Sequence, residues 1–228
     1  MTKAILITGC SRGIGLEFVK VYAQLGWQVY AIVRKSNPEF EKLVEKYSNI
    51  ETITFDVTHF QAYEKLKKYF ETKTIDVLIN NAGIYGDQDQ SIGNLNIDAL
   101  QKVFMTNTFA PILMTQTVLD AILRGSTKTI VNITSRMGSI ADNTSGQYYA
   151  YRSSKAALNA MMRSLQIDLQ DKGVKVLVLH PGWVKTDMGG LNALIDTETS
   201  VKALYEVIEQ AHKLPEMFYS YQKELLPW

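Results

Sequence analysis

A tyrosine with a lysine four residues later places both side chains on one face of a helix. The ammonium charge favours the phenolate, lowering the tyrosine pKa from ~10 towards working pH. A tyrosine tuned this way can protonate a carbonyl oxygen during reduction, or take the proton during alcohol oxidation. The pair alone says little, because it arises by chance in a chain with 12 Tyr and 18 Lys. Four such pairs occur: Tyr63/Lys67, Tyr69/Lys73, Tyr151/Lys155 and Tyr219/Lys223. The first two lie in a polar helical stretch and read as solvated pairs. The fourth runs from a strand into the tail, where a spacing of four has no helical meaning. Only Tyr151/Lys155 opens a long amphipathic stretch directly after an apolar strand.

Other residues point to the same place. Ser135 ends that strand, where its hydroxyl can meet the same carbonyl as Tyr151; Thr134 and Ser139 are the competing hydroxyls. Asn107 lies inside a helical pattern with Pro111 four residues on. Proline has no N–H, so the Asn107 carbonyl should lose its intrahelical partner, kink the helix and hold a water that starts a proton path from Lys155. The alternative is a kink that serves packing alone. Asn80-Asn81-Ala82-Gly83 ends another strand with small or amide residues, suited to a flat ring passing close to the backbone. After a further strand, Pro181-Gly182-Trp183-Val184-Lys185-Thr186 offers the Val184 backbone and the Thr186 hydroxyl to a carboxamide. Ile84, Tyr85, Met137, Tyr148, Tyr149, Trp183 and Met188 are candidate substrate-pocket walls, with ordinary core packing the competing role.

Thr8-Gly9-Cys10-Ser11-Arg12-Gly13-Ile14-Gly15 lies between the first strand and the first helix. There Gly9 permits a tight turn, Gly13 lets the backbone approach a pyrophosphate, and Gly15 lets the helix pack on the sheet. The helix N-terminus adds unpaired N–H groups, with Ser11 and Ile14 beside them. The second strand ends in Val33-Arg34-Lys35 rather than in the acidic residue that NAD binders usually place there. Arg34 and Arg12 suit a 2′-phosphate, so NADP(H) is the expected dinucleotide and NAD(H) the alternative. Asp56, followed by Val57, ends the third strand and can accept from the adenine amino group; a plain turn aspartate competes with that role. Cys10 sits at a helix N-terminus that can lower a thiol pKa, in which case dinucleotide would shield it from alkylation; a buried, inert thiol is the expected case.

The elements that position these residues follow an alternating pattern. Strands are expected over residues 3–8, 28–33, 50–55, 75–80, 127–134, 174–180 and 217–219. Helices are expected over 14–25, 39–47, 60–70, 97–124, 147–171 and 198–212, with Gly26 and Gly173 at helix C-caps. Val/Ile/Leu-rich strands alternating with helices predict an α/β fold with a doubly wound parallel sheet, formed by one domain over 1–228. The 228 residues carry a net charge of +1 without long charged runs, so nucleic acid and membrane surfaces are not expected partners. No apolar stretch approaches ~20 residues, and the single cysteine fits a reducing, cytoplasmic setting. No metal site is expected.

The ordered set of Thr8-Gly9-x-x-x-Gly13-x-Gly15, Asp56, Asn80-Asn81-Ala82-Gly83, Asn107, Ser135, Tyr151-x-x-x-Lys155 and Pro181-Gly182 resembles the short-chain dehydrogenase/reductase family over nearly the whole chain. Gly9-Cys10-Ser11-Arg12-Gly13, Tyr149 to Lys155, His180 to Gly190 and the Leu226-Pro227-Trp228 ending are similar to its sniffer-type carbonyl reductase and C-factor branch. The resemblance implies a Rossmann sheet of about seven strands and a catalytic tetrad of Asn107, Ser135, Tyr151 and Lys155, with Lys155 also holding the nicotinamide ribose. It implies NADPH-dependent reduction of a small carbonyl substrate, and a homodimer or homotetramer. The alternatives it leaves are an NAD(H)-dependent alcohol dehydrogenase and a C-factor-like signalling or dinucleotide-sensing protein. Two departures matter. The Ser135–Tyr151 interval is a few residues longer than is common, and the short segment after Gly182 implies a small lid over an open site.

Overall fold

The computed structural model describes residues 2–228. Seven parallel strands form one sheet: β1 Ala4–Thr8, β2 Gln28–Val33, β3 Ile50–Thr54, β4 Val77–Asn80, β5 Thr129–Ile133, β6 Lys175–His180 and β7 Phe218–Ser220. Their order is β3-β2-β1-β4-β5-β6-β7. The chain therefore builds outwards from β1 to β3, then crosses back to set β4 on the other side of β1. Ligands bind at the crevice such a reversal opens beyond the strand C-terminal ends.

Helices α1 Gly13–Gln24, α2 Pro38–Lys46, α3 Tyr63–Tyr69, α4 Ile97–Phe104, α5 Ala110–Leu123, α6 Tyr149–Leu169 and α7 Thr197–Glu209 cover the sheet. Successive strand residues point to opposite faces. Ile5, Ile7 and Val29 pack with Phe18, Tyr22 and Leu204, whereas Leu6, Tyr30 and Ile130 pack with Leu66, Met114 and Leu158. Both faces are dry, which is why the strands read as continuous apolar runs rather than alternating ones. Asn37, Asn96 and Asp196 cap α2, α4 and α7 through their side chains; α1 and α6 begin without such a cap.

Most element ends fall within two residues of expectation, with Gly26 and Gly173 in the left-handed conformation just past their helices (φ 77° and 71°). Three differences have physical causes. The stretch 97–124 is not one kinked α-helix: a π-helical turn, Met105–Phe109, joins α4 to α5, and the Ala110 N–H bonds the Met105 carbonyl five residues back. That extra residue absorbs Pro111, which sits in the first turn of α5, where no N–H is needed. The helix expected from 147 starts at Tyr149, because Gln147 and Tyr148 are left-handed (φ 54° and 53°). Tyr63, read as solvated, is buried and its hydroxyl donates to the Val57 carbonyl at 2.8 Å. No helix among the described residues is long and apolar enough to cross a membrane.

Candidate active site

The sheet reversal is stitched together by Thr8, the last residue of β1. Its Oγ1 accepts hydrogen bonds from the Asn81 and Ala82 N–H groups, both at 3.0 Å, and the Asn81 amide donates to the Thr8 and Gly9 carbonyls at 3.0 and 3.1 Å. In the sequence Thr8 opens the glycine motif without a role of its own, and its signal is the Thr-Gly step at a strand end. The glycines leave no room for a side chain. A Cβ on Gly9 would lie 2.8 Å from the Ala82 Cα, and one on Gly15 2.2 Å from the Gly9 carbonyl oxygen.

This corner opens into a cleft of about 760 Å³. At one end lie Gly9, Ser11, Gly13, Ile14 and Gly15, flanked by Arg34, Asp56 and Val57. Asn81, Ala82 and Gly83 form its floor, with Tyr151, Lys155, Pro181 and Thr186 at the far end. The uncapped first turn of α1, the bare glycine backbone and the cleft volume fit a dinucleotide, with its pyrophosphate at the helix N-terminus. Val184 lies behind the lining, its carbonyl accepting from the Thr186 hydroxyl at 3.3 Å. Gly182 turns the chain there at φ 87°.

Two arginines flank the cleft, and both are exposed. Arg12 pairs with Asp187 at 2.8 Å across its mouth. Asp56 uses Oδ1 to accept from the Thr58 N–H and hydroxyl at 2.9 and 2.7 Å, so a turn aspartate is part of what it is. Burial would raise its pKa, but those hydrogen bonds and then the Arg34 charge outweigh it and hold the carboxyl below the usual range. Cys10 is the buried, inert thiol expected. Its thiol is fully buried and donates to the Ile7 carbonyl at 2.9 Å, and burial pushes its pKa far up, outweighing a hydrogen bond from the Ile32 backbone. Thiol reagents are therefore expected to label the native protein equally slowly with and without NADPH, and fast only after denaturation, as followed by mass spectrometry.

Tyr151 and Lys155 line the other end of the cleft, with Ser135 and Asn107 buried behind them. Tyr151 and Lys155 are buried one turn apart on α6, with the ammonium 5.9 Å from the phenol ring centre. Burial pushes the Tyr151 hydroxyl up to about 12, with a hydrogen bond to Ser135 acting the other way. Burial also pulls Lys155 down to about 8. The expected lowering of Tyr151 by Lys155 is thus not what the protein alone produces, because desolvation of both groups dominates. The Lys155 Nζ instead donates to the Ile133 carbonyl at 2.8 Å.

Asn107 works through its side chain as well as its place in the π turn. Its Oδ1 accepts from the Ile84 N–H at 2.9 Å, and its Nδ2 donates to the Ile84 carbonyl and the Ser154 hydroxyl at 2.8 and 3.1 Å. It brackets the loop after β4 against α6. Ser135 Oγ accepts from the Met137 N–H at 3.1 Å, which fixes the turn leaving β5. Gly138 in that turn presses on α6, where an added Cβ would lie 2.9 Å from the Lys155 Cβ.

Of the proposed pocket walls, Ile84 and Met188 line the cleft. Tyr85 stacks on Tyr151 with ring centres 4.8 Å apart and on Tyr148 at 5.7 Å. Met137 does not line the cleft, and Trp183 stands half exposed with its indole N–H donating to the Gly189 carbonyl at 2.7 Å. Trp183, Met188, Leu191 and Leu194 leave the segment after β6 with an exposed apolar surface.

A cleft at the β1/β4 reversal, with Tyr151 and Lys155 of α6 at one end and Ser135 just beyond β5 hydrogen-bonded to Tyr151, sits in a Rossmann-type oxidoreductase frame. The chain belongs to the short chain dehydrogenase family, whose model matches residues 3–193. It is similar to the C-signal of Myxococcus xanthus, 41% identical over 160 residues that cover 69% of this chain and 95% of that protein. The carbonyl reductase Sniffer of D. melanogaster is 34% identical with a TM-score of 0.89, each chain covered in full. A short-chain dehydrogenase/reductase from Burkholderia multivorans, solved with bound NADP, is 29% identical with a TM-score of 0.92, again over the whole of both chains.

Proposed function

We propose that this protein is an NADPH-dependent carbonyl reductase, with residues 1–228 serving as one dinucleotide-binding domain. The observation that carries the reading is the convergence, within one cleft, of a glycine-lined phosphate cradle with the buried Tyr151 and Lys155, Ser135 being hydrogen-bonded to Tyr151. The dinucleotide, when bound, supplies a hydride to the carbonyl carbon. Tyr151 gives its phenolic proton to the carbonyl oxygen, and the Ser135 hydroxyl hydrogen-bonds the same oxygen. Burial keeps Tyr151 protonated at neutral pH, as a proton donor requires. Lys155 and Thr186 hold the nicotinamide end, and Asn107 keeps the Ile84 backbone and α6 in register.

Arg12 and Arg34 favour NADPH over NADH, and the NADP-bound relative supports that preference. Absorbance decay of NADPH with a panel of aldehydes, ketones and quinones tests the activity, and no turnover with any member overturns it. Arg34→Asp is expected to weaken NADPH about 10–100-fold while leaving NADH within a few-fold, since one charge-assisted contact to phosphate is lost. Comparing kcat/KM for the two dinucleotides checks this. The C-signal likeness favours a second reading, dinucleotide sensing, which would be supported by NADPH binding without turnover.

A further inference from the structure

Helix α6 carries Tyr151 and Lys155, yet it starts badly. Its N-cap, Tyr148, is left-handed at φ 53° and ψ 40°, offers no side-chain cap, and follows a second left-handed residue, Gln147. Non-glycine residues rarely take that conformation, and two in succession need support from outside the segment. The first-turn N–H groups of a helix also need partners from elsewhere.

One such partner comes from 61 residues away. The Tyr151 N–H donates to the Oε1 of Gln90 at 3.1 Å. Through its Nε2, the same side chain donates to the Tyr85 carbonyl at 3.0 Å and to the Asp87 carbonyl at 2.8 Å. Gln90 is only 4% exposed, although residues 86–89 before it are all exposed. Burying an amide in such a loop is costly unless its hydrogen bonds are made inside, and here both ends of the amide are engaged. The loop itself is tight: Gly86 sits at φ 90°, and a Cβ there would lie 2.7 Å from the Val103 side chain. Gln90 thus joins the backbone of Tyr151 to that of Tyr85, whose ring stacks on the Tyr151 ring.

We infer that Gln90 is a positioning residue for Tyr151: it caps α6 from the loop after β4 and sets the phenol against Tyr85. This rests on Tyr151 being the proton donor. Gln90 touches neither substrate nor dinucleotide, since it does not line the cleft. Its effect therefore falls on the chemical step more than on binding. A misplacement of the order of 1 Å in a reacting group costs about 100-fold in rate.

Gln90→Met keeps the side-chain length and removes all three hydrogen bonds, whereas Gln90→Glu keeps an oxygen for the Tyr151 N–H. With NADPH and a carbonyl compound that the parent protein reduces, Gln90→Met is expected to lower kcat about 100-fold and leave the NADPH Kd within about three-fold. Amide exchange in the first turn of α6 should accelerate, and Gln90→Glu should restore kcat to within about ten-fold of the parent. Unchanged kcat and exchange in Gln90→Met overturn the assignment. So does a parallel loss of NADPH affinity and of protection throughout the fold, which marks a purely structural role. If Gln90→Met does not fold, Gln90→Glu decides: kcat within about ten-fold supports the acceptor role, and a larger loss with NADPH binding intact overturns it. Tyr151→Phe separates the two readings. Turnover surviving in that variant overturns the proton-donor reading itself, whereas turnover lost there but kept in Gln90→Met overturns the Gln90 assignment alone.

Discussion

Tyr151→Phe is expected to lower kcat by about 10²–10⁴-fold, the range that a positioned general acid contributes. The variant removes one oxygen and keeps the ring, so the 4.8 Å stacking on Tyr85 and the packing of α6 survive. NADPH affinity, measured by quenching of protein fluorescence, should stay within a few-fold, because the phosphate cradle is at the other end of the cleft. The pH profile gives an independent check. In the parent, reduction should fall at alkaline pH as Tyr151 loses its proton, and the residual rate of Tyr151→Phe should lack that limb. Ser135 hydrogen-bonds the phenol, and retention of turnover in Tyr151→Phe would transfer the acid role to it.

Lys155→Met should also remove most activity, and it makes an opposite prediction for stability. Burial pulls Lys155 down to about 8 from its ordinary 10.5. Below about pH 8 both folded and unfolded chains carry the charge, so the folded state bears the whole penalty of burying it, about 3 kcal/mol. As pH rises from about 8 towards 10.5, the folded state releases the proton first, and the penalty fades; stability from this group is therefore gained with rising pH in that window. Methionine removes the charge but strands the Ile133 carbonyl that Lys155 serves. An unsatisfied carbonyl costs about 1–2 kcal/mol, which leaves a net gain of about 1–2 kcal/mol at pH 7. In the dinucleotide-free protein, Lys155→Met should melt a few degrees above the parent at pH 7, with the difference lost or reversed by pH 10. A variant that melts lower at pH 7 would show that the ammonium is stabilised in place, contrary to the dominance of burial.

Much of the framework was legible because short-range rules govern it. Apolar runs in the strands, the Thr-Gly step, the clustered glycines and the arginine at the end of β2 each carry a local reason for their residue type. Their order along the chain also placed every chemical candidate at one sheet edge. Two points were not legible, since each depends on partners distant in sequence. The protonation balance at Tyr151 and Lys155 reverses the simple helix-face argument, because burial of both groups is a property of the packed core. The Pro111 kink becomes a π turn, and the Asn107 amide, rather than its carbonyl alone, ties two segments together.

The sequence by itself determined the α/β class, the parallel strand pattern and the residue types gathered at the strand ends, because periodicity, turn chemistry and helix-end preferences act over a few residues. Tertiary structure alone decided how those residues meet. It brought Thr8 to Asn81, Asn107 to Ile84 and Ser154, and Gln90 to Tyr151. Desolvation and long-range hydrogen bonds, which no local pattern encodes, set the charge states and positions on which the chemistry depends.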